Sequence, residues 1–347
     1  VEKERSIQLL RRLGDLFAAL GQEQPWSGYA TGLTEEEYTN LRQLIGKVNI
    51  YNPWFTRKSV LTALRSLGEM LEADSLLPFA ARYGETSGPK RVAIIMAGNL
   101  PLVGFHDLMC VLLSGHTAIC KLSSNDAHLL PAFIDVLKKW DPETAARIEW
   151  SVGPVKNIEA VIATGSDNSA NYFEQYFGKY PHIFRRNRTS VAVLSGDETA
   201  EELKGLGADM FRYFGLGCRN VSKILVPLDF DLNRIFEAIV EEGELVNHHK
   251  YANNYDYNRT IYLMNSVPFL DNNFCMLRED DGLFSPLSVF YVQRYANLSE
   301  VELFLLEHKD SIQTVVGSGY QPIGKAQEPA IDDYADGIDT MEWLVNL

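Results

Sequence analysis

Arg91-Val92-Ala93-Ile94-Ile95-Met96-Ala97-Gly98-Asn99-Leu100-Pro101 decides the fold. Its short apolar run, bounded by Pro89 and Gly98, reads as a strand buried on both faces. Residues 101–114 then read as a helix and 117–122 as a second buried strand. Residues 126–140 read as a second helix, with Asp126 as its predicted cap. A third strand at 159–164, a helix at 166–177 and a fourth strand at 190–194 follow. Strand and helix alternating in this way is the pattern of a doubly wound parallel sheet.

On the N-terminal side the first ninety or so residues read as helical, by apolar spacing. Ile7, Leu10, Leu13, Phe17 and Leu20 form one apolar stripe, Thr34 with Glu37 marks a helix start, and 59–71 is a second amphipathic stretch. Between them Asn52-Pro53-Trp54-Phe55-Thr56 reads as a helix-stop turn with aromatic anchors. On the C-terminal side the alternation returns more loosely. We expect a helix at 199–214, a glycine turn, a strand at 222–226 and a helix at 232–242. Strands near 260–263 and 287–292, a helix at 300–307 and a strand at 311–316 complete it. The expected organisation is a helical segment plus a nucleotide-binding α/β domain over 1–195 and a catalytic α/β domain over 196–317. An acidic return segment over 318–347 has no assigned place.

Length and composition fit this. At 347 residues the chain has room for about two domains. With 46% apolar and 22% charged residues it is neither disordered nor fibrous. Asp plus Glu number 46 against 32 Lys plus Arg, a net charge of −14, which argues against nucleic-acid binding and against adsorption to anionic membranes. The four cysteines are scattered, with no CxxC pair, so neither a disulfide framework nor a zinc ribbon is expected. Free thiols, no apolar run long enough to span a membrane and an amphipathic rather than signal-like start suggest a cytoplasmic protein.

Cys218 is the most informative cysteine, in Phe214-Gly215-Leu216-Gly217-Cys218-Arg219-Asn220 between a predicted helix and a predicted strand. Small neighbours admit a substrate to the sulfur, backbone N–H groups of such a turn can hold an oxyanion, and Arg219 would favour the thiolate. An inert thiol at a tight turn is the other reading. Cys110, Cys120 and Cys275 sit in apolar runs, as core residues do. Asn99 closes the first strand, either as a hydrogen-bond donor to an oxyanion or as a helix cap. Lys121, Ser123 and Ser124 close the second. Thr164-Gly165-Ser166 closes the third, where a helix N-terminus can meet a pyrophosphate or Ser166 simply caps it. There is no GxGxxG after the first strand.

Taken in this order, the elements resemble the aldehyde dehydrogenase superfamily over roughly residues 91–292. Asn99 before Pro101 matches the family's oxyanion amide. Lys121-Leu122-Ser123-Ser124 matches Lys-Pro-Ser-Glu in part, Thr164-Gly165-Ser166 matches Thr-Gly-Ser, and Leu194-Ser195-Gly196 stands weakly for Glu-Leu-Gly-Gly. Gly217-Cys218 matches the nucleophile turn within one residue, and Phe284-Ser285-Pro286 matches Phe-Gly-Pro. The resemblance implies Cys218 and Asn99 as catalytic residues. It places a dinucleotide on Met96, Ala97, Lys121, Ser123, Ser124, Gly165, Ser166, Ser195, Gly196 and Phe284, and implies no metal.

The departures narrow the resemblance. The carboxylate that activates water in aldehyde-oxidising members falls at Val193 or Leu194. Without it a thioester on Cys218 should hydrolyse slowly, whereas exchange with coenzyme A needs no such base. Ser124 stands where an acidic residue would hold the adenosine ribose, so NADP(H) is favoured over NAD(H). Gly282 replaces the Glu before Phe-Gly-Pro, with Asp280 and Asp281 adjacent. Together with Asn52–Thr56 and the Gly-Leu-Gly-Cys-Arg-Asn turn, these departures resemble the acyl-CoA reductase branch, the relatives of the fatty acyl-CoA reductase of bacterial bioluminescence. That resemblance implies NAD(P)H-dependent reduction of an acyl-CoA to an aldehyde through an acyl-cysteine, with coenzyme A as co-substrate.

Alternatives are another reductase or oxidase of the superfamily, acting on an acyl phosphate or an aldehyde, and a non-catalytic nucleotide- or CoA-binding protein of the same fold. The family's projecting hairpin has no counterpart in 83–90, which argues against its swapped dimer but not against a homo-oligomer. Lys179, Arg185, Arg186 and Arg188 are the one basic cluster, read as a solvated face or a phosphate contact. The adjacent His248 and His249 argue against a metal pair, since on a strand they would face opposite ways. Phe211, Phe214 and Phe284 either line a channel or fill core.

Overall fold

The apolar run that opens the alternation is β1 (Arg91–Ile95). It pairs in parallel with β2 (Thr117–Lys121) on one side; beyond β2 lies β3 (Ile148–Trp150). On its other side come β4 (Ala160–Thr164) and β5 (His182–Arg185), so the sheet order is β3-β2-β1-β4-β5. Val92, Ala93, Ile94 and the β4 residues Val161 and Ile162 are fully buried, which is why these strands read as continuous apolar runs. The computed structural model describes residues 2–84, 86, 88–165 and 167–347. Among them the chain divides into two units, 1–186 with 330–347 and 187–329. The α/β class with a helical N-terminal segment is as the sequence predicts.

In the first unit, helix Glu2–Gly21 buries its apolar stripe against helix Phe105–Leu113 and helix Leu129–Trp140. The Phe17 ring meets Phe105 and Phe133 edge-on, with centroids 5.4 and 4.8 Å apart. Thr34 forms a complete capping box with Glu37, as its spacing predicts. The acidic tail finds its place here as well. Helix Thr340–Val345 packs on Phe105–Leu113, and the His106 ring is 2.8 Å from the Ile331 carbonyl oxygen.

The second unit holds β6 (Thr189–Val193), β7 (Val221–Pro227), β8 (Leu270–Asp271), β9 (Met276–Glu279), β10 (Val289–Tyr295) and β11 (Ile312–Gly317). Their order is β11-β6-β7-β10-β9-β8, parallel except for the β8–β9 pair. The strand expected at 190–194 therefore belongs with β7 and β11, not with the strands before it, and the units part at 187 instead of 195. The strand expected near 260–263 is instead the last turn of helix His249–Met264. Its β-branched and aromatic residues mislead, whereas the buried set Tyr251, Tyr255, Asn258 and Tyr262 has helical spacing. Among the described residues no helix is long and apolar enough to cross a membrane.

Asp126 does more than mark the helix after it, which starts at Leu129. Its carboxylate accepts the Leu102 N–H at 2.8 Å, supporting the left-handed Leu102 (φ 59°) in the loop after β1. Burial pushes its pKa up to about 6, against the pull of the Leu102 and Leu129 N–H groups. A raised folded-state pKa means that the neutral acid fits the fold best. This contribution is full below the ordinary aspartate value and is lost as pH rises through about 6. Urea titrations should show the stability of the protein relative to Asp126→Asn falling by roughly 2–3 kcal/mol between about pH 4 and 6.5. A difference independent of pH would show that Asp126 is ionised throughout.

Candidate active site

Because β2, β1 and β4 are parallel neighbours, their carboxyl ends share one edge of the first sheet. The strand order reverses between β1 and β4, the place where such sheets bind ligands. Met96, Ala97, Gly98 and Asn99 follow β1; Leu122, Ser123 and Ser124 follow Lys121 at the end of β2; Gly165 follows β4. These are the predicted residues that the first unit brings together. Ser166 lies outside the described residues.

The loops meet too closely for larger residues. A Cβ on Gly98 would stand 2.5 Å from Ser123 Oγ, and one on Gly165 would stand 2.9 Å from Ser169 Cβ and 3.0 Å from the Phe173 ring. Ser123 Oγ accepts the Asn125 N–H at 3.2 Å. Beneath them Asn52, buried, donates its amide to the Asn125 carbonyl at 3.1 Å and accepts the Trp54 N–H at 3.1 Å. The Asn52–Thr56 stretch is thus a buttress for the loop after β2 as well as a turn. Asn99 is exposed at the rim. Lys121 donates to the Gly153 carbonyl at 2.9 Å, so its ammonium lies beside the loop after β3.

In the second unit helix Ala200–Phe211 ends in a short turn where Tyr213, Phe214 and Gly215 all adopt left-handed conformations, φ 55°, 61° and 79°. Cys218 follows, partly exposed. Cys110, Cys120 and Cys275 are buried; desolvation pushes Cys120 up to about 12 and raises the other two, so all three stay as thiols.

The side chain that organises this turn is Asn220, to which the sequence reading gave no role. It is 3% exposed. Its Nδ2 donates to the carbonyls of Asp209, Met210 and Arg212 at 3.1, 3.3 and 2.9 Å, gathering acceptors at the end of the preceding helix. Its Oδ1 accepts the Gly217 N–H at 2.8 Å, and its own N–H donates to the Gly217 carbonyl at 3.0 Å. Ser190 Oγ on β6 donates to the Cys218 carbonyl at 3.0 Å. Since the 217–218 peptide is trans and planar, the Gly217 carbonyl faces Asn220 while the Cys218 N–H points the opposite way, out of the turn. An N–H held so by its own peptide plane is suited to stabilise a nearby oxyanion.

Val193 and Leu194 are buried apolar side chains. Of the two carboxylates that follow in sequence, Asp197 is exposed and Glu198 is buried and committed to its own turn. It accepts the N–H of Ser195, the Ser195 hydroxyl at 2.9 Å and the Gly196 N–H at 3.0 Å. Arg234 holds the same turn through the Gly196 and Glu198 carbonyls, at 2.6 and 2.7 Å. Phe284 is 43% exposed. The segment before it is tied by Lys223, fully buried on β7, which donates to the Asp280 carbonyl at 2.5 Å. Burial draws that lysine's pKa down to about 8, opposed by Asp281 and Asp280.

Two other clusters do something else. Arg185 is buried, paired with Asp107 at 2.7 Å and donating to Thr340 Oγ1 and the Ala335 carbonyl, so it is no solvated phosphate contact. His248 caps helix His249–Met264, its Nδ1 accepting the Tyr251 N–H at 3.4 Å, instead of lying on a strand. Among the described residues no group of three or more His, Cys, Asp or Glu could hold a metal ion.

Comparison with known proteins places these features. Residues 7–227 match the family model described as Acyl-CoA reductase (LuxC). No curated protein matches the chain. Aldehyde dehydrogenase 21 from Physcomitrella patens, solved with the reaction product succinate, superposes with a TM-score of 0.65 at 11% identity, over 97% of this chain and 84% of that one. Lactaldehyde dehydrogenase from Escherichia coli gives 0.61 at 12%, over 88% and 72%. An indole-3-acetaldehyde dehydrogenase of P. syringae, a mutant in complex with NAD+ and IAA, gives 0.62 at 14%, over 88% and 69%. These likenesses show a shared fold.

We expect Asn220→Ala to lower the unfolding free energy by about 2–3 kcal/mol, because it orphans several backbone groups at once. A loss below about 0.5 kcal/mol in urea titrations would mean that those groups find other partners.

Proposed function

The chain belongs to the acyl-CoA reductase (LuxC) family, and from that premise we propose that it reduces an acyl-CoA thioester to an aldehyde through an acyl group carried on Cys218. One observation carries the reading. A partly exposed cysteine stands on a pinned turn, and the position where hydrolytic relatives would need a carboxylate is buried and apolar.

In this reading the Cys218 thiolate attacks the thioester carbonyl carbon, the bond to the coenzyme A sulfur breaks, and that sulfur leaves to take up a proton. The Cys218 N–H and the Asn99 carboxamide hold the negative oxygen. Buried, apolar Val193 and Leu194 at the water-activating position, with Glu198 consumed by its own turn, preserve the acyl-enzyme against hydrolysis.

A nicotinamide dinucleotide, when bound, supplies the hydride that reduces the acyl carbon. The residues fit it. β2, β1 and β4 end together at the switch point of the sheet, and exposed Ser124 stands where a carboxylate would repel a 2′-phosphate. We assign the contacts to Met96, Ala97, Lys121, Ser123, Ser124, Gly165 and Ser166, and to Ser195, Gly196 and Phe284, with NADP(H) preferred over NAD(H). The oxyanion left on the reduced carbon then collapses, its bond to Cys218 breaks, and the aldehyde leaves with the thiolate restored.

Cys218→Ala should retain no labelled acyl group from acyl-CoA; covalent label on that protein would overturn the assignment. Asn99→Ala should lower kcat by about 10²–10³ with cofactor affinity nearly unchanged. Unchanged turnover would remove Asn99 from the reaction. Aldehyde formation should be faster with NADPH than with NADH.

A further inference from the structure

Phe214, Gly215 and Leu216, the residues that lead into Cys218, also wall a cavity of about 230 Å³ lying within the second unit. Phe211, Tyr251, Leu287 and Phe290 supply much of the rest. The left-handed turn shapes this wall. It sets the Phe214 ring 4.4 Å from the His248 ring, and a Cβ on Gly215 would stand 3.4 Å from Leu287 Cδ1.

The hydroxyls around the cavity are already committed. Ser222 donates to the Leu283 carbonyl at 3.1 Å, Tyr251 to Phe274 at 3.1 Å and Ser285 to Val289 at 2.5 Å; Ser288 turns to the Leu287 carbonyl. A water molecule needs two to four polar partners to stay in such a space, and hydrocarbon needs none.

We propose that this cavity receives the hydrocarbon chain of the acyl group carried by Cys218, and that its size limits the chain length accepted. The proposal rests on the acyl-cysteine reading above. A cavity of about 150 Å³ holds a six-carbon ring, so on that scale this one holds roughly nine carbons. Leu287, seated against the nucleophile's turn, is the residue that tunes the length.

The test uses the full chain and straight-chain acyl-CoAs of about two to sixteen carbons, reading acyl transfer to Cys218 by mass and aldehyde formation separately. Transfer efficiency should climb several-fold up to about eight or nine carbons as methylenes leave water, then fall at least about tenfold by fourteen. Leu287→Ala should move the break about two carbons longer and Leu287→Phe about two shorter. Should either variant misfold, 1-octanol with the wild-type protein decides. It should slow transfer from octanoyl-CoA and leave transfer from acetyl-CoA unaffected. Efficiency still rising at fourteen carbons, a break unmoved by folded Leu287 variants, or octanol without effect on octanoyl transfer overturns the cavity proposal and leaves the reduction reading standing. Failure of every acyl-CoA to acylate Cys218 overturns both.

Discussion

One buried carboxamide organises the turn that carries Cys218. Asn220 ties the end of a helix, the first peptide of the cysteine turn and its own main chain into one unit. Its neighbours on β6 complete the restraint: Ser190 takes the Cys218 carbonyl and Thr189 Oγ1 the Asn220 carbonyl at 3.2 Å. The peptides on either side of Cys218 are thereby held in a fixed orientation. Preorganised dipoles cost nothing to reorient during a reaction, which is why such a turn suits a developing negative charge. The left-handed residues upstream fit the same account, since unusual backbone persists only where surrounding bonds over-determine it.

The first unit achieves a comparable rigidity by different means. Its three strand ends come from residues far apart in sequence, gathered by parallel topology, and they interlock by close approach. Gly98 admits Ser123, Asp126 holds Leu102, and Asn52 holds Asn125 from a stretch some seventy residues earlier. Shape at that edge therefore depends on the helical N-terminal segment as well as on the sheet. From residue 7 onward that segment falls within the span matched by the acyl-CoA reductase family model.

How much of this was legible beforehand follows from the reach of each interaction. β1, β2 and β4 were visible because burial on both faces writes an unbroken apolar run. β3 and β5, only three and four residues long, carry too little periodicity to stand out. β6 was recognised as a strand, but nothing local says which sheet a buried strand joins; its partners β7 and β11 lie up to about 120 residues away. Helix His249–Met264 was missed in part because β-branched and aromatic composition outweighed the spacing of its buried face. Turn glycines and strand ends are local signals, which is how Cys218 and Asn99 stand out in the sequence as candidates; their roles belong to the proposed reaction. The work of Asn220, Asn52 and Glu198 was hidden, because each acts through partners whose positions only the folded chain defines.

The return of residues 330–347 to the first unit bears on how the chain matures during synthesis. Arg185, buried with Asp107, also donates to Thr340 Oγ1 and the Ala335 carbonyl, and Tyr83 bonds Tyr334 and Asp339 at 2.7 and 2.9 Å. A nascent chain emerging in order would expose this half-satisfied seam until residues 330–347 had emerged, while 187–329 had all its own strands in hand earlier. Of the two units, the one begun first would thus be the later to close.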